Sequence, residues 1–337
     1  MAKTVVGLEI TEESVRGAEI VLGRVPQLAA YGEVLLPPDV AKDSEVLDPG
    51  AVAVALRQLW TGARFKAKRV TLGVASRRIL VREYTTQSMR PDLLRDALPY
   101  QVQDLLPVPA SQAVLDFFPL SEEANQVSGL LVAAVSESIE EIIRTLDRVK
   151  LRVNAVDLTA FGLARASVVV AAPDETVAVV FVGDHTTQVV VARGGIPQAV
   201  RLLPIDMPTT ASQRKQAEPV AAEEDLVGAA VAQPTARVRG ALRAGNINPV
   251  IADLAARLRS TIAFFGSRPN ATPISMVVLT GAGAAIPGVL QQLDSALDVP
   301  IRVVEAGDIV ASKAAVPSGE LALNLVSTIG IALGEGR

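Results

Sequence analysis

Two short polar turns, about half a chain apart, carry side chains that could bind a polyphosphate. The first turn reads Glu9-Ile10-Thr11-Glu12, and the second reads Gly183-Asp184-His185-Thr186-Thr187. Each follows an apolar run and leads through another apolar run to a glycine turn, which predicts two similar three-stranded units. When two hairpin loops face each other across a cleft, their backbone N–H groups can cradle phosphate oxygens. The pattern therefore predicts an internal duplication with a loop-lined cleft.

The segment between the two units reads as a separate subdomain. Residues 85–150 predict the order helix, strand, strand, helix, and the prolines after Leu106 must end the first helix. Ser138 to Glu141 predicts a capping box at the start of the last helix. Residues 207–246 lack apolar periodicity and aromatic side chains, so we expect a disordered insertion there.

The bulk composition sets limits on the class of protein. The chain has 337 residues, is 50% hydrophobic and 20% charged, and carries a net charge of -4, so we expect a large folded core. No basic stripe is evident, which argues against a nucleic-acid partner. The chain has no cysteine, which excludes disulfides and thiolate metal sites. The first residues do not read as a signal peptide, and no apolar run reaches the roughly 20 residues that span a bilayer. We expect a cytoplasmic protein.

Several segments, in order, resemble the PilM family of type IV pilus assembly, whose members are actin-like and related in fold to the division protein FtsA. The matching segments are Arg90 to Phe117, Val156 to Phe161, Arg193 to Gly195, Leu258 to Phe265 and Leu279 to Gly283. The resemblance covers nearly the whole chain except 207–246. It implies an α/β fold, namely the duplicated ribonuclease-H-like fold of actin, Hsp70 and FtsA with an inserted subdomain. The implied parts are 1–84 with 151–172, the insertion 85–150, and a second half 173–337.

In that family the first loop is typically D-I-G-T and the second D-I-G-A-E-T-T, and this chain departs from both. Glu9 replaces an aspartate, Thr11 places a Cβ where backbone must approach phosphate, and Phe181 removes the second carboxylate. Magnesium sites normally need one or two carboxylates. We therefore expect weak or absent ATP binding, no ATP turnover, no cofactor and no metal. The residues of this degenerate nucleotide site would be Glu9, Thr11, Gly183, His185, Thr186, Thr187, Gly281, Ala282 and Gly283.

Simpler interpretations of these residues stay open. His185, the only histidine, is either an exposed turn residue or a remnant phosphate contact. Thr186 and Thr187 either donate hydroxyl groups to phosphate or only begin a strand, where β-branched residues are favoured. Gly281 and Gly283 are also explained by an ordinary strand-to-helix turn.

The family resemblance also implies a partner. In PilM-like proteins, the cleft beside the inserted subdomain receives the short cytoplasmic N-terminus of the membrane protein PilN. The expected role is a structural adaptor at the inner face of the cell membrane, with the assembly motor ATPase as a further expected partner. The candidate groove residues are Tyr100, Leu105, Leu106, Val108 and Phe117.

Two other functions compete with this interpretation. One is an active or weak ATPase that uses ATP and magnesium through Glu9, with nucleotide acting as a switch. The other is a sugar or acid kinase of the same superfamily, but no substrate-side carboxylate or sugar-binding insertion is evident.

Overall fold

The computed structural model describes residues 3–217, 248–268, 272–313 and 315–336. The strands are β1 (Lys3–Ile10), β2 (Ser14–Leu22), β3 (Gln27–Leu35), β4 (Ala41–Lys42), β5 (Glu45–Val46), β6 (Arg69–Val74), β7 (Leu80–Gln87), β8 (Ala113–Glu123), β9 (Gln126–Val135), β10 (Arg152–Leu158), β11 (Thr176–Val182), β12 (Thr186–Arg193), β13 (Ile196–Pro204), β14 (Ile274–Thr280), β15 (Ile301–Val303) and β16 (Ala311–Ser312). The α-helices are α1 (Pro49–Gly62), α2 (Pro91–Gln101), α3 (Ser136–Arg148), α4 (Thr159–Ala166), α5 (Thr210–Ala217), α6 (Pro249–Gly266), α7 (Val289–Ala296), α8 (Ala306–Ile309) and α9 (Gly319–Leu333).

The two main sheets repeat one topology. The first has the strand order β10-β6-β1-β2-β3-β16, and the second has the order β15-β14-β11-β12-β13. In both, the first strand of the unit is antiparallel to the next strand and parallel to the strand on its other side. The predicted duplication is therefore confirmed. The hairpin turns after β1 and β11 occupy equivalent positions in the two halves.

The last helix ties the two halves together. Helix α9 packs on β1 and β2 of the first sheet, on α4, and on the short 3-10 helix Ala282–Ala285 of the second half. The small strand β16 also pairs with β3 of the first sheet. The predicted second half, 173–337, therefore does not form one unit, because its last segments complete the first half.

The inserted subdomain differs from its prediction in three details. Its sheet has the order β7-β9-β8, so it begins at Leu80 and not at residue 85. The apolar pattern predicts that the first strand ends at Phe118 and the second starts at Leu130, whereas β8 and β9 continue to the turn at residues 124–125, with an irregularity between Pro119 and Ser121. The predicted capping box is wrong, because α3 already starts at Ser136 with Val135 as its N-cap. Ser138 instead donates from its hydroxyl group to Oε1 of Glu45, at 2.9 Å.

The first residues of the expected insertion, 207–217, are folded. Met207 and Thr209 are buried, and α5 follows them in the structure. The backbone N–H of Met207 donates to the carbonyl of Asp184 at 2.7 Å, which fixes this segment to the second hairpin turn. Residues 218–246 of the predicted insertion lie outside the described residues.

Two glycines permit the close crossing of α4 and α9. A Cβ on Gly330 would lie 2.1 Å from the carbonyl oxygen of Gly162. A Cβ on Gly162 would lie 2.8 Å from the backbone nitrogen of Ile331. Because both close atoms belong to backbone, neither helix can yield by rotating a side chain. The crossing therefore requires glycine at both positions.

We expect Gly162→Ala to lower the free energy of unfolding by about 3 kcal/mol, the upper end of the usual cost of overpacking. Gly62→Ala is the matched control, since a Cβ there has no neighbour within 4 Å and its backbone is helical. Urea unfolding of both variants measures the difference. Equal stability of the two variants would contradict the close crossing.

Candidate functional site: the cleft between the two hairpin turns

The first hairpin turn is closed by its own side chains. The backbone N–H of Thr11 donates to the carbonyl of Ser14 at 2.8 Å, and the N–H of Ser14 donates to the Thr11 hydroxyl at 3.0 Å. The Ser14 hydroxyl then donates to Oε1 of Glu33 at 2.7 Å. Thr11 therefore helps to hold the turn in place.

Glu9 lies at the end of β1, and its carboxylate is fully engaged within the protein. Its side chain is buried, and Oε2 accepts from Nε of Arg16 at 3.4 Å. Oε1 accepts from the hydroxyl groups of Ser327 at 2.7 Å and Thr328 at 3.0 Å, both on α9. A buried carboxylate needs such partners, because an unpaired one is strongly disfavoured. Glu9 thus joins β1, β2 and α9.

Arg16 is the cation of a row that crosses three neighbouring strands. The ladder places it directly opposite Glu9 on β1 and Glu33 on β3. Directly opposed residues of opposite charge stabilise a sheet, and here burial makes the pairing obligatory. The Arg16 guanidinium also lies 6.0 Å from the ring centroid of Phe181 on β11. The aromatic ring therefore faces a cation from the other half of the molecule.

His185 bridges the two halves across the cleft. Its Nε2 lies 2.7 Å from Oε1 of Glu13 in the first turn, and its Nδ1 lies 2.8 Å from Oδ1 of Asp206. The hydrogen bond to Glu13, the largest effect, raises the pKa of His185 to about 9, although burial opposes it. Asp206 and Glu12 contribute to the same rise in the pKa. At neutral pH the ring is therefore an imidazolium that donates to a carboxylate on each side.

Lys215 on α5 adds a second cation to this bridge. Its ammonium donates to the carbonyl of Glu12 at 2.9 Å and lies 3.7 Å from Oε1 of Glu13 and 3.9 Å from Oε1 of Glu12. The ligand atoms of Glu12, Glu13 and His185 lie within 4.8 Å of one another, which is close enough for one metal ion. The ammonium group supplies positive charge at that position instead. We call Glu12, Glu13, His185, Asp206 and Lys215 the cross-cleft cluster.

The space left in the cleft is small. The cavity beside the two turns measures about 70 Å³. Five of the nine residues predicted for a nucleotide site line it: Glu9, Thr11, Gly183, His185 and Thr186.

The other four predicted residues lie elsewhere. Thr187 is fully buried, and its hydroxyl group has no hydrogen-bond partner among the described residues. Gly281, Ala282 and Gly283 pack behind the second turn, since a Cβ on Gly281 would lie 2.5 Å from the carbonyl oxygen of Val182. The interpretation of these glycines as an ordinary strand-to-helix turn fits this close packing, and Gly281 has a φ of +86° that favours glycine.

Several residues of the cleft were not predicted as site residues from the sequence. Arg16, Ser327, Thr328 and Lys215 come from other elements, and Lys215 falls in a segment that was expected to be disordered. The adjacent acidic pair in the first turn and the single histidine in the second were the available signal. Opposite charges in two facing loops indicate a bridge as readily as a ligand site.

The five predicted groove residues lie in different surroundings of the inserted subdomain. Leu105, Leu106 and Phe117 are half-buried and pack around the small core of the inserted subdomain, while Tyr100 is 80% exposed. Val108 is half-buried in the loop before β8. A groove of about 460 Å³ lies between α2 and β8, and of the five it includes only Phe117.

Comparison with known protein families assigns the chain to a family. The family model described as type IV pilus assembly protein PilM matches residues 7–197, more than half of the chain. The chain belongs to the PilM family. The match spans the first half, the inserted subdomain and the second hairpin turn, so it includes both sides of the cleft.

Solved structures show the same fold. The PilM–PilN type IV pilus biogenesis complex is similar over 100% of both chains, with a TM-score of 0.79 and 21% identity. The cytoplasmic domain of EpsL, an inner-membrane component of the Vibrio cholerae type II secretion system, has a TM-score of 0.50 at 11% identity, over 98% of this chain and 95% of its own. The ethanolamine utilization protein EutJ of Carboxydothermus hydrogenoformans also has a TM-score of 0.50, at 13% identity, over 99% and 90%.

The predicted actin-like fold is thus confirmed for this PilM-family chain. No curated protein sequence matches it. Among the described residues, no helix is both long and apolar enough to span a membrane.

The bridge through His185 predicts a pH-dependent stability. The folded pKa of about 9 lies above the ordinary value of 6.5, so the contribution is complete below pH 6.5 and is lost as the pH rises through 9. We expect His185→Gln to lower the free energy of unfolding by about 2 kcal/mol at pH 6, after allowance for solvent screening, and by much less at pH 10.

Urea unfolding of the native protein and the variant at both pH values measures this difference. Gln198→Ala, at a half-buried polar residue on β13, is the control for a general effect of pH. A His185→Gln defect of the same size at both pH values would contradict the charged bridge.

Proposed function

We propose that this PilM-family protein is a structural adaptor of type IV pilus assembly that works without bound nucleotide. It would hold the N-terminal tail of a PilN-like inner-membrane protein and pass that contact to the assembly motor, at the inner face of the cell membrane. The observation that carries the proposal is the cross-cleft cluster. In it, protein charges bridge the two halves at the place where hairpin loops of this fold could cradle a polyphosphate.

Three features of the cleft argue against a magnesium nucleotide. The Glu9 carboxylate already accepts three hydrogen bonds, so ligating a metal would require it to leave Arg16 and α9. Phe181 offers no ligand atom where a second carboxylate would be expected. The remaining cavity of about 70 Å³ is far below the ~300 Å³ or more typical of small-molecule sites. The residues present therefore do not fit a magnesium nucleotide.

We expect no heat of binding when the protein is titrated with ATP and magnesium. The variant Glu9→Asp, Thr11→Gly, Phe181→Asp restores the family pattern, but we expect it also to stay silent, because Glu13 and His185 still bridge the cleft. Isothermal calorimetry tests both proteins. Magnesium-dependent binding by the native chain would contradict the proposal, and binding by the triple variant alone would show that the bridge does not close the cleft.

The groove between α2 and β8 is the place that suits an extended peptide. Its walls include Leu94 and Leu98 from the helix and Leu115 and Phe117 from the strand. Within the part of the chain that the structure describes, strand β8 pairs with β9 alone, so it is an edge strand whose outer backbone groups can pair with a further strand. Added strands are held by main-chain hydrogen bonds, while side-chain pockets select their sequence. This groove therefore offers both elements of recognition.

The rim of this groove selects for positive charge. Asp116 and Glu122 lie on β8 and are exposed, and Arg95 is the cation of the lining. The groove thus fits a tail with apolar side chains and flanking Lys or Arg residues. A second cleft, between the inserted subdomain and the first half near Glu45 and Ile139, measures only about 20 Å³. Of these two, the α2–β8 groove is therefore the one with room for a peptide.

We expect Asp116→Lys with Glu122→Lys to weaken binding of the partner's N-terminal peptide by about tenfold or more, because rim charges steer and orient a charged ligand. Asp104→Lys with Glu140→Lys is the matched control, since it makes the same change at exposed residues outside the groove. Fluorescence anisotropy with a labelled peptide measures both. Binding that survives the first variant but is lost on Ile139→Asp would move the peptide to the smaller cleft.

A further inference from the structure

One end of the first sheet carries a concentration of cations that the proposed function does not use. A groove of about 640 Å³ there is lined by five exposed basic side chains. They are Arg64, Lys66, Lys68, Arg69 and Lys313. This basic end surface lies where β1 and β6 begin, whereas the cleft lies where those strands end.

The backbone that carries these cations is firmly anchored. Phe65 is buried and packs edge-on against Trp60 at a centroid distance of 5.1 Å, and the Trp60 indole N–H donates to the carbonyl of Ala67 at 3.0 Å. The buried carboxylate of Glu19 accepts from the backbone N–H groups of Lys66 at 2.9 Å and Ala67 at 3.2 Å. With Phe65 turned inward, its neighbours Arg64 and Lys66 remain exposed.

The charge of this surface is not neutralised within the described part of the chain. None of the five cations takes part in an ion pair with a described residue. Lys150 and Arg152 extend the surface, since Arg152 lies beside Arg69 in the ladder and its N–H donates to the carbonyl of Lys68. The chain as a whole carries a net charge of -4. The expectation that no basic stripe exists is therefore wrong, because the fold joins 64–69, 150–152 and Lys313 at one end.

An apolar tip borders the same end of the sheet. The turn between β2 and β3 carries Val25, which is 67% exposed, next to Arg24. The ends of these two strands, at Val21 and Ala29, line the basic groove. An exposed valine beside clustered cations is suited to an interface that is anionic outside and apolar beneath.

We propose that the basic end surface binds the anionic face of a lipid bilayer. Clustered basic residues close to a membrane surface are attracted to anionic lipid and their contributions add, so five or more can hold a protein reversibly. Single-stranded nucleic acid is less suited, because it needs exposed aromatic side chains for stacking, and Trp60 and Phe65 point inward. The inference is consistent with the proposed adaptor role at a membrane, but it rests on this surface alone.

Sedimentation with vesicles tests the proposal on the purified full chain without any partner protein. Vesicles of equal parts phosphatidylglycerol and phosphatidylcholine are compared with vesicles of phosphatidylcholine alone. We expect binding to the anionic vesicles only, and weaker binding as salt is raised, because exposed charges are screened. Equal binding to both vesicles, or to neither, would overturn the proposal.

The variant Lys66→Ser, Lys68→Ser, Lys313→Ser should weaken binding to the anionic vesicles more than about tenfold. The matched control Arg201→Ser, Arg259→Ser, Arg302→Ser removes the same charge from exposed residues of the second half and should bind as the native chain does. Equal loss in both variants would overturn the proposal by showing a net-charge effect. Preferential capture of duplex DNA or polyglutamate in a competition would overturn it in favour of another polyanion.

Vesicle binding and peptide binding can be tested independently of each other. Peptide binding is measured without lipid, and vesicle binding is measured without peptide. The two sets of substitutions lie on different parts of the molecule, the inserted subdomain and the end of the first sheet. Failure of one measurement therefore leaves the other interpretable.

Discussion

The structure of the cleft depends on the burial of Arg16 between two carboxylates. A guanidinium on the central strand of a three-strand row needs an acidic partner, and the ladder places Glu9 and Glu33 directly opposite it. Because Glu9 serves this pair and two hydroxyl groups of α9, it is fixed in orientation. An aromatic ring at position 181 then suits the cation better than open solvent would. Glu9 and Phe181 are thus linked through Arg16.

The two halves are also held together by charged side chains of the cross-cleft cluster. The two turns would bring Glu12, Glu13 and Asp184 close together, and such repulsion must be compensated. His185 and Lys215 supply two positive charges, one from the second turn and one from α5. Asp184 is accommodated separately, because its carboxylate accepts from the hydroxyl of Thr209. The acidic groups of the two turns would repel phosphate. Paired with His185 and Lys215, they instead join the two halves of the protein.

The sequence predicted most of the fold, because strongly apolar strands and helix boundaries are local signals. One helix begins at Pro49 and another is capped by Asn248, and proline and asparagine are residue types that favour these two positions. The capping box predicted at Ser138 is wrong, because β9 continues directly into α3 without a capping side chain. The partners of Glu9 could not be predicted, since Ser327 and Thr328 are more than 300 residues away and only α9's return to the first sheet brings them near. The basic end surface was missed for the same reason, since Lys313 joins residues 64–69 only through β16.

A cleft that is bridged by side chains has a consequence for how such a protein could be regulated. A ligand shifts a conformational equilibrium only to the extent that it binds the two states differently. Because Glu13 and His185 already join the halves, a nucleotide would have to break that bridge before it could stabilise a closed form. The free energy needed to break the bridge would weaken nucleotide binding. In the proposed function, the arrangement of the two halves is set by these side chains rather than by a ligand. Signals would have to enter at the outer surfaces, where the α2–β8 groove and the basic end surface lie on different parts of one frame.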